Sequence, residues 1–373
     1  MAMLRKLLQV LLATGFMHGA AAEVADLKPG HPTRYVVKQG DTLWDIASTF
    51  LHRPWLWPEV WEQNPQVKNP HRIYVGDVLW VGMEGGRPRL YSRHSRHVKL
   101  SPSMRVSEHD RVVPPVPLDA IWPFLIRPRV VGPEDLAGAP YVVSSQDEHL
   151  TPAEANRIYI RGLPPAEPGT QYTVVRCGEV YRDPPVQRDE NTRYATLEPV
   201  ALRYTEDCIG AEGGALGYEA LHVADAVLER AGDPATAVIT RSYREALSGD
   251  RLLPLTRVVY PEFVPHAPPK PVAGSVISVM DAISQVGPNQ VVVLNRGERA
   301  GLEPGHVLSV LQSGLLVRDP LSAKVSSSRG DLVELPPERI ADLMVFRTFP
   351  RVSYALVMAA THPVHLYDGV TNP

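Results

Sequence analysis

One residue in ten of this chain is proline, 37 of 373, about twice the usual share. Proline interrupts a helix and cannot donate to a sheet ladder, so long helices and uninterrupted central strands are both disfavoured. Short helices, edge and hairpin strands, turns and extended linkers remain. The richest proline clusters, "VVPPVP" at 112–117 and "PHAPPKPVAG" at 265–274, also mark the natural seams of the chain. On these seams the expected organisation is 1–22 leader, 33–82 first compact unit, 83–117 basic and then proline-rich linker, 118–260 β-rich domain, 261–274 linker and 275–373 β-rich C-terminal module.

Several classes fall away on composition. With 44% apolar and 21% charged residues the chain is too apolar for wholesale disorder. A net charge of −3 gives no electrostatic reason to expect nucleic acid or an anionic membrane as partner. Two cysteines are too few for a disulfide scaffold, and a chain of this length needs none to fold. Its start reads as an export signal: Arg5 and Lys6, the apolar run "LLQVLLATGFM", then small residues with Ala20 and Ala22 in the Ala-x-Ala relation. Cleavage is expected after about Ala22. The apolar run is shorter than a membrane span, so no transmembrane segment is expected in the mature chain, which would lie in the periplasm.

The middle and last regions read as β. "YVVSS", "RIYIRGL", "QYTVVRCG", "SVISVM", "QVVVLN" and "HVLSVL" are short β-branched runs separated by Gly, Pro and Asn. Small, mostly antiparallel barrels or sandwiches are the expectation. "LGYEALHVADAVLERAG" (216–232) has apolar residues in both periods, which leaves helix or strand open. Gly-Asp or Gly-His followed by apolar residues recurs in "VGDVLWV", "SGDRLLPL", "PGHVLSVL" and "RGDLVEL"; a turn glycine feeding a strand accounts for it.

The first unit reads strand–helix–helix–strand. "RYVVKQG" (34–40) is a strand ending in a turn glycine. Thr42 is an N-cap with Asp45 three residues on, and Leu43, Ile46, Ala47 and Phe50 recur at helical spacing. Pro58 suits the first turn of a second helix, and 78–81 the second strand. Four of the six tryptophans crowd into Gly40–Pro65. Trp61 is read as core; Trp44 stays open between burial and a stacking face; Trp55 is the candidate for an exposed ring.

"YVVKQGDTLWDIA…NP…NPHRIYVGDVLWV" closely resembles the LysM domain, a module that binds N-acetylglucosamine-containing glycans. Val75 stands where that family usually has proline, and "HRPWLWPEVW" resembles a Trp-rich subtype found in exported proteins of Gram-negative bacteria. The resemblance implies a groove between the first strand–helix turn and the loop before the second strand, here Gly40, Asp41, Thr42, Leu43, Trp44, Asn69, Pro70, His71, Ile73 and Tyr74. Main-chain groups would bond the acetamido group, with Leu43 and Ile73 against its methyl. The implied fold class is multidomain, a small βααβ LysM domain followed by mainly-β modules.

No catalytic constellation is legible. Cys177 lies in a strand pattern and Cys208 among acids, which raise a thiol's pKa; in an oxidising compartment the two are instead a candidate disulfide. The pairs His94/His97 and His362/His365 have no third ligand nearby in sequence. No enzyme activity, cofactor or metal is therefore expected. The expected function is non-catalytic binding of peptidoglycan glycan strands, with the β-rich domains as scaffold. The alternative is an assembly factor of an envelope machine such as a flagellum, pilus or secretion system, whose C-terminal β-rich region takes a protein partner; a wall hydrolase is the remote third.

Overall fold

A computed structural model describes residues 25–62, 73–85, 87–93, 129–132, 138–146, 154–184, 214–255, 263–280, 284–318 and 332–373, with a few isolated positions between them. The chain divides near Pro114 into two compact units.

The first unit runs β1 (Tyr35–Val36), α1 (Leu43–Phe50), a 3-10 turn (Pro54–Leu56), α2 (Trp57–Glu62), β2 (Val78–Glu84) and β3 (Arg87–Arg93). The helix α1 begins directly after Thr42 and buries Leu43, Ile46, Ala47 and Phe50, the spacing expected of one face. Pro58 falls in the first turn of α2, where its missing N–H costs nothing. An antiparallel sheet of order β1-β2-β3 covers the helices. Its third strand lies in the stretch read from sequence as the start of a linker: Arg87–Arg93 pairs with Val78–Glu84 along its whole length. Leu79 and Leu90 turn inward and Trp80 outward, the period-2 pattern of a half-buried hairpin.

The second unit is β throughout its long elements. Its first part holds β4 (Arg129–Val131), β5 (Tyr141–Ser145), β6 (Arg157–Arg161), β7 (Gln171–Arg182), β8 (Ala215–Arg230), β9 (Ala235–Ser242) and β10 (Arg251–Pro254). They form a sheet of order β4-β8-β7-β10-β5-β6-β9, and a further β8–β9 pairing brings the two sides of the curl together. Val142, Ile158, Ile160, Val174, Val223 and Leu252 fill it. The ambiguous stretch 216–232 is therefore strand. Partners along both edges decide against the helix that its Ala, Leu and Glu content permits.

The second part holds β11 (Ala273–Val279), β12 (Gln285–Val286), β13 (Val291–Leu294), β14 (Val307–Gln312), β15 (Leu316–Arg318), β16 (Leu332–Glu334), β17 (Glu338–Thr348), β18 (Ser353–Ala360), β19 (Val364–His365) and β20 (Gly369–Thr371). Six of these close into the barrel β11-β13-β18-β17-β14-β20 around Val276, Val292, Leu308, Leu343 and Val357. All six β-branched runs of the sequence named above are strands, β5, β6, β7, β11, β13 and β14. The expected class stands: a small N-terminal module with the helices, then mainly-β architecture including a closed barrel.

The proline-rich stretch before the barrel is bonded into it rather than hanging free. Asn372 accepts a hydrogen bond from the Val272 amide at 2.7 Å and donates to the Pro268 and Lys270 carbonyls. Sheet and barrel also meet directly. The Ser278 hydroxyl donates to Glu179 at 2.7 Å, Asn295 to Asp183 at 2.7 Å, and Arg351 to the Ala215 carbonyl at 3.0 Å.

Candidate functional site

Two turns of the first unit come together at one end of its sheet. Gly40 and Gly76 have φ of +90° and +94°, a region that side chains disfavour, so each closes a turn that other residues would strain. The main chain of Val37 ties the turns to each other, its N–H donating to the Asp77 carbonyl and its carbonyl accepting from the Gly76 N–H, both at 2.9 Å.

Each turn is braced by a carboxylate. Asp41 accepts from the Lys38 N–H at 2.8 Å and from the Tyr35 hydroxyl at 2.9 Å. Burial, then the bond to Asp41, raises the Tyr35 phenol to about 12, so it remains a donor throughout the physiological range. Asp77, 5% exposed, accepts from the Tyr74 N–H at 3.0 Å. Lys38, Gln39 and Gly40 are exposed at this end, with Asp41 and Tyr74 half-buried beside them.

The expected groove residues are not equally available. Thr42, Leu43, Trp44 and Ile73 are each exposed by 4% or less, so their side chains serve packing, and packing claims the Trp44 ring. Asn69, Pro70 and His71 lie outside the described residues. Trp55, expected as an exposed ring, is 1% exposed: Pro54, Trp55 and Leu56 make a 3-10 turn driven wholly into the interior. Sequence reasoning passed over the aromatic pair that does face solvent. Trp80 and Tyr91 sit opposite each other on β2 and β3, rings stacked at 6.0 Å and 16°, with Trp80 37% exposed. The signal was present in the in-out alternation around Leu79. Its partner Tyr91 was hidden in a stretch read as linker. A stacked aromatic face of this kind suits the C–H surface of a sugar ring.

This strand–helix–helix–strand unit, with its two braced glycine turns, matches the LysM domain family over residues 35–82. Residues 35–82 are a LysM domain. LysM is a peptidoglycan-binding family, and the domain brings the expectation of glycan binding to this end of the chain. Over 74 residues the chain is also 35% identical to an endolysin of Bacillus phage B103, a match covering 20% of this chain and 27% of the endolysin. The chain thus spans about a quarter of that relative's length.

Elsewhere, Cys177 on β7 is disulfide-bonded, and Cys208, the chain's other cysteine, lies outside the described residues. His94 and His97 also lie outside them. His365 bonds Gln285 at 3.1 Å, while His362 contacts Thr361. The histidines that converge are a different pair, His266 and His306, joined by Glu303. No helix among the described residues is long and apolar enough to cross a membrane.

Proposed function

We propose that this protein is a non-catalytic peptidoglycan-binding protein of the cell envelope, exported to the periplasm of a Gram-negative bacterium. In this reading its LysM domain holds glycan strands and its β-rich unit is the scaffold carried by that tether. The observation that supports it most is the pair of turns at Gly40–Asp41 and Tyr74–Asp77, bound to each other through Val37 and braced by Asp41 and Asp77, with Lys38, Gln39 and Gly40 exposed beside them. Main-chain groups along such an exposed edge would match the donor and acceptor of an acetamido substituent without any charge. One shallow module of this sort binds weakly, so retention rests on the polymeric ligand, which offers many equivalent sites.

Pelleting with purified sacculi tests the reading. The chain from Glu23 and a truncation beginning at Pro114 are incubated with sacculi, and the supernatant is assayed for muropeptides. Pro114 is the boundary to use, since a cut at 83 would remove β2 while leaving its partner β3. Pelleting of the longer form alone, with a clean supernatant, is the expected outcome. Equal pelleting of both forms would move binding out of the LysM domain. Released muropeptides would make the protein a hydrolase.

A further inference from the structure

The recurring Gly-Asp and Gly-His pattern has a shared geometry. In three copies the glycine has φ near +100°: Gly76 (+94°), Gly249 (+94°) and Gly305 (+101°). The residue after it is buried, Asp77 at 5%, Asp250 at 2% and His306 at 1%. In each, that side chain accepts a hydrogen bond from the main-chain N–H three residues earlier: Tyr74 to Asp77 at 3.0 Å, Leu247 to Asp250 at 2.7 Å, Glu303 to His306 Nδ1 at 3.2 Å. The turn needs one acceptor atom, and a carboxylate or an imidazole nitrogen supplies it. Histidine brings a second nitrogen that the turn does not use. His306 Nε2 is buried and has no hydrogen-bond partner among the described residues.

That nitrogen points to a polar cluster. Glu303 Oε1 lies 3.5 Å from His306 Nε2 and 3.3 Å from His266 Nε2. The three potential ligand atoms all lie within 4.8 Å of one another. His266 is seated by the main chain, pairing in parallel with His306, its N–H donating to the Gly305 carbonyl at 3.0 Å. Its Nδ1–H donates to the Val264 carbonyl at 2.8 Å, and its Nε2 faces Glu303 Oε1 at 3.3 Å, so a proton on that nitrogen is the one a cation would displace. A carbonyl holding the remote nitrogen is the usual outer support of a metal-ligating imidazole. Gly305 is needed here for space as well as for φ: a Cβ would stand 2.6 Å from the Val264 oxygen and 3.1 Å from the His266 ring.

We propose that His266, Glu303 and His306 bind a divalent transition-metal cation, with Zn2+ the fit to two imidazoles and one carboxylate. Bond lengths of about 2.0–2.1 Å in a tetrahedron put ligand atoms about 3.3–3.4 Å apart, close to the 3.3 and 3.5 Å found from the Glu303 oxygen. Three protein ligands leave the fourth position to water, on the side where His266 and Glu303 are exposed. The metal-free His306 carries its proton on Nε2, since Nδ1 accepts from the Glu303 amide. On binding, that proton moves to Nδ1 and the Glu303 amide releases its bond, a long one at 3.2 Å. The cation fastens the proline-rich stretch 263–272 to the turn that feeds β14. It stands far along the chain from the LysM domain and is independent of glycan binding.

Titration calorimetry of the chelator-treated chain from Glu23 with ZnCl2 tests this, with visible absorption after Co2+ addition reporting the geometry. The expected result is one Zn2+ per chain, weakened at least tenfold by His266→Ala and by Glu303→Gln and unchanged by His362→Ala. Those two variants alter exposed side chains, so loss of fold does not explain their effect. His306→Asn, which keeps an acceptor for the Glu303 amide, is expected to abolish binding while leaving the circular dichroism of the strands unchanged. Failure to bind one equivalent, or binding unaltered by His266→Ala and Glu303→Gln, overturns the proposal. The bands of four-coordinate Co2+ support it; octahedral bands overturn the ligand set.

Discussion

Trp55 and Trp80 belong to the same LysM domain and have opposite exposures, which makes a matched pair of substitutions decisive. Trp55 is 1% exposed within a 3-10 turn whose three residues are all buried. Replacing it by alanine removes a ring burying roughly 150–200 Å². At ~25 cal/mol per Å² the transfer loss is about 4–5 kcal/mol, in line with the about 3–5 kcal/mol found for Trp→Ala in well-packed cores. A module this small holds only about 3–5 kcal/mol of stability in total. Trp55→Ala is therefore expected to unfold the LysM domain and leave the β-rich unit intact. Trp80 is 37% exposed and packs against Tyr91 on the sheet surface, so Trp80→Ala should lose only about 0.5–1.5 kcal/mol. It should still weaken retention on sacculi if that aromatic face touches sugar. Urea unfolding of the full chain, with limited proteolysis to separate the units, gives the stabilities, and pelleting gives the binding. A LysM transition within about 1 kcal/mol of wild type in Trp55→Ala would refute the burial argument. Trp80→Ala with wild-type retention would remove the aromatic face from the site.

Three further outcomes follow from the geometry. Asp41→Ala removes the acceptor shared by the Lys38 amide and the Tyr35 hydroxyl; a stability loss of about 1 kcal/mol and several-fold weaker pelleting are expected, with Asp41→Asn retaining more of both. Arg176 holds Asp250, 1% exposed at its side chain, through two bonds of 2.8 Å. Arg176→Met strands that carboxylate at a cost of about 3–5 kcal/mol, which urea unfolding of the β-rich unit should register. Glu179 sits half-buried between sheet and barrel, and its partial burial raises its carboxyl above its usual value against a smaller opposing pull from Ser278. A raised carboxyl contributes stability that is complete below the unfolded pKa and is lost as pH rises through the folded one. Glu179→Gln is thus expected to be more stable than wild type above that window and no more stable below it. Paired denaturation curves at pH 4 and pH 8 decide the point, and a gain at both or at neither contradicts it.

How far the chain could be read depended on whether the deciding contacts were near in sequence. The β-branched runs between turn residues were legible because each strand's propensity and its punctuation lie within a few positions of each other. The 35–82 module was legible for the same reason: its glycine turns, helix face and second strand arrive in order within one short stretch. β8 was not, because "LGYEALHVADAVLER" satisfies helix propensity, and only partners on both edges make it a strand. Nor was the fate of Trp55, since the ring's burial depends on how a 3-10 turn is wedged beneath its own module.

The histidine cluster shows the limit most sharply. Close spacing in the sequence marks only His-x-x-His pairs, while the residues that converge are brought together by one parallel bridge between His266 and His306. The local half of that site was nonetheless written in the Gly-His copy of a repeated turn. A turn that requires a single acceptor atom accepts any side chain that offers one, and its fold is indifferent to what else the side chain carries. Where that side chain is imidazole, the fold's own turn geometry places a second, buried nitrogen, which can ligate once its proton moves to Nδ1 and the turn's amide bond is released. Within a repeated structural motif, the copy that departs in chemistry while keeping the geometry is therefore the one to test for a function that the other copies lack.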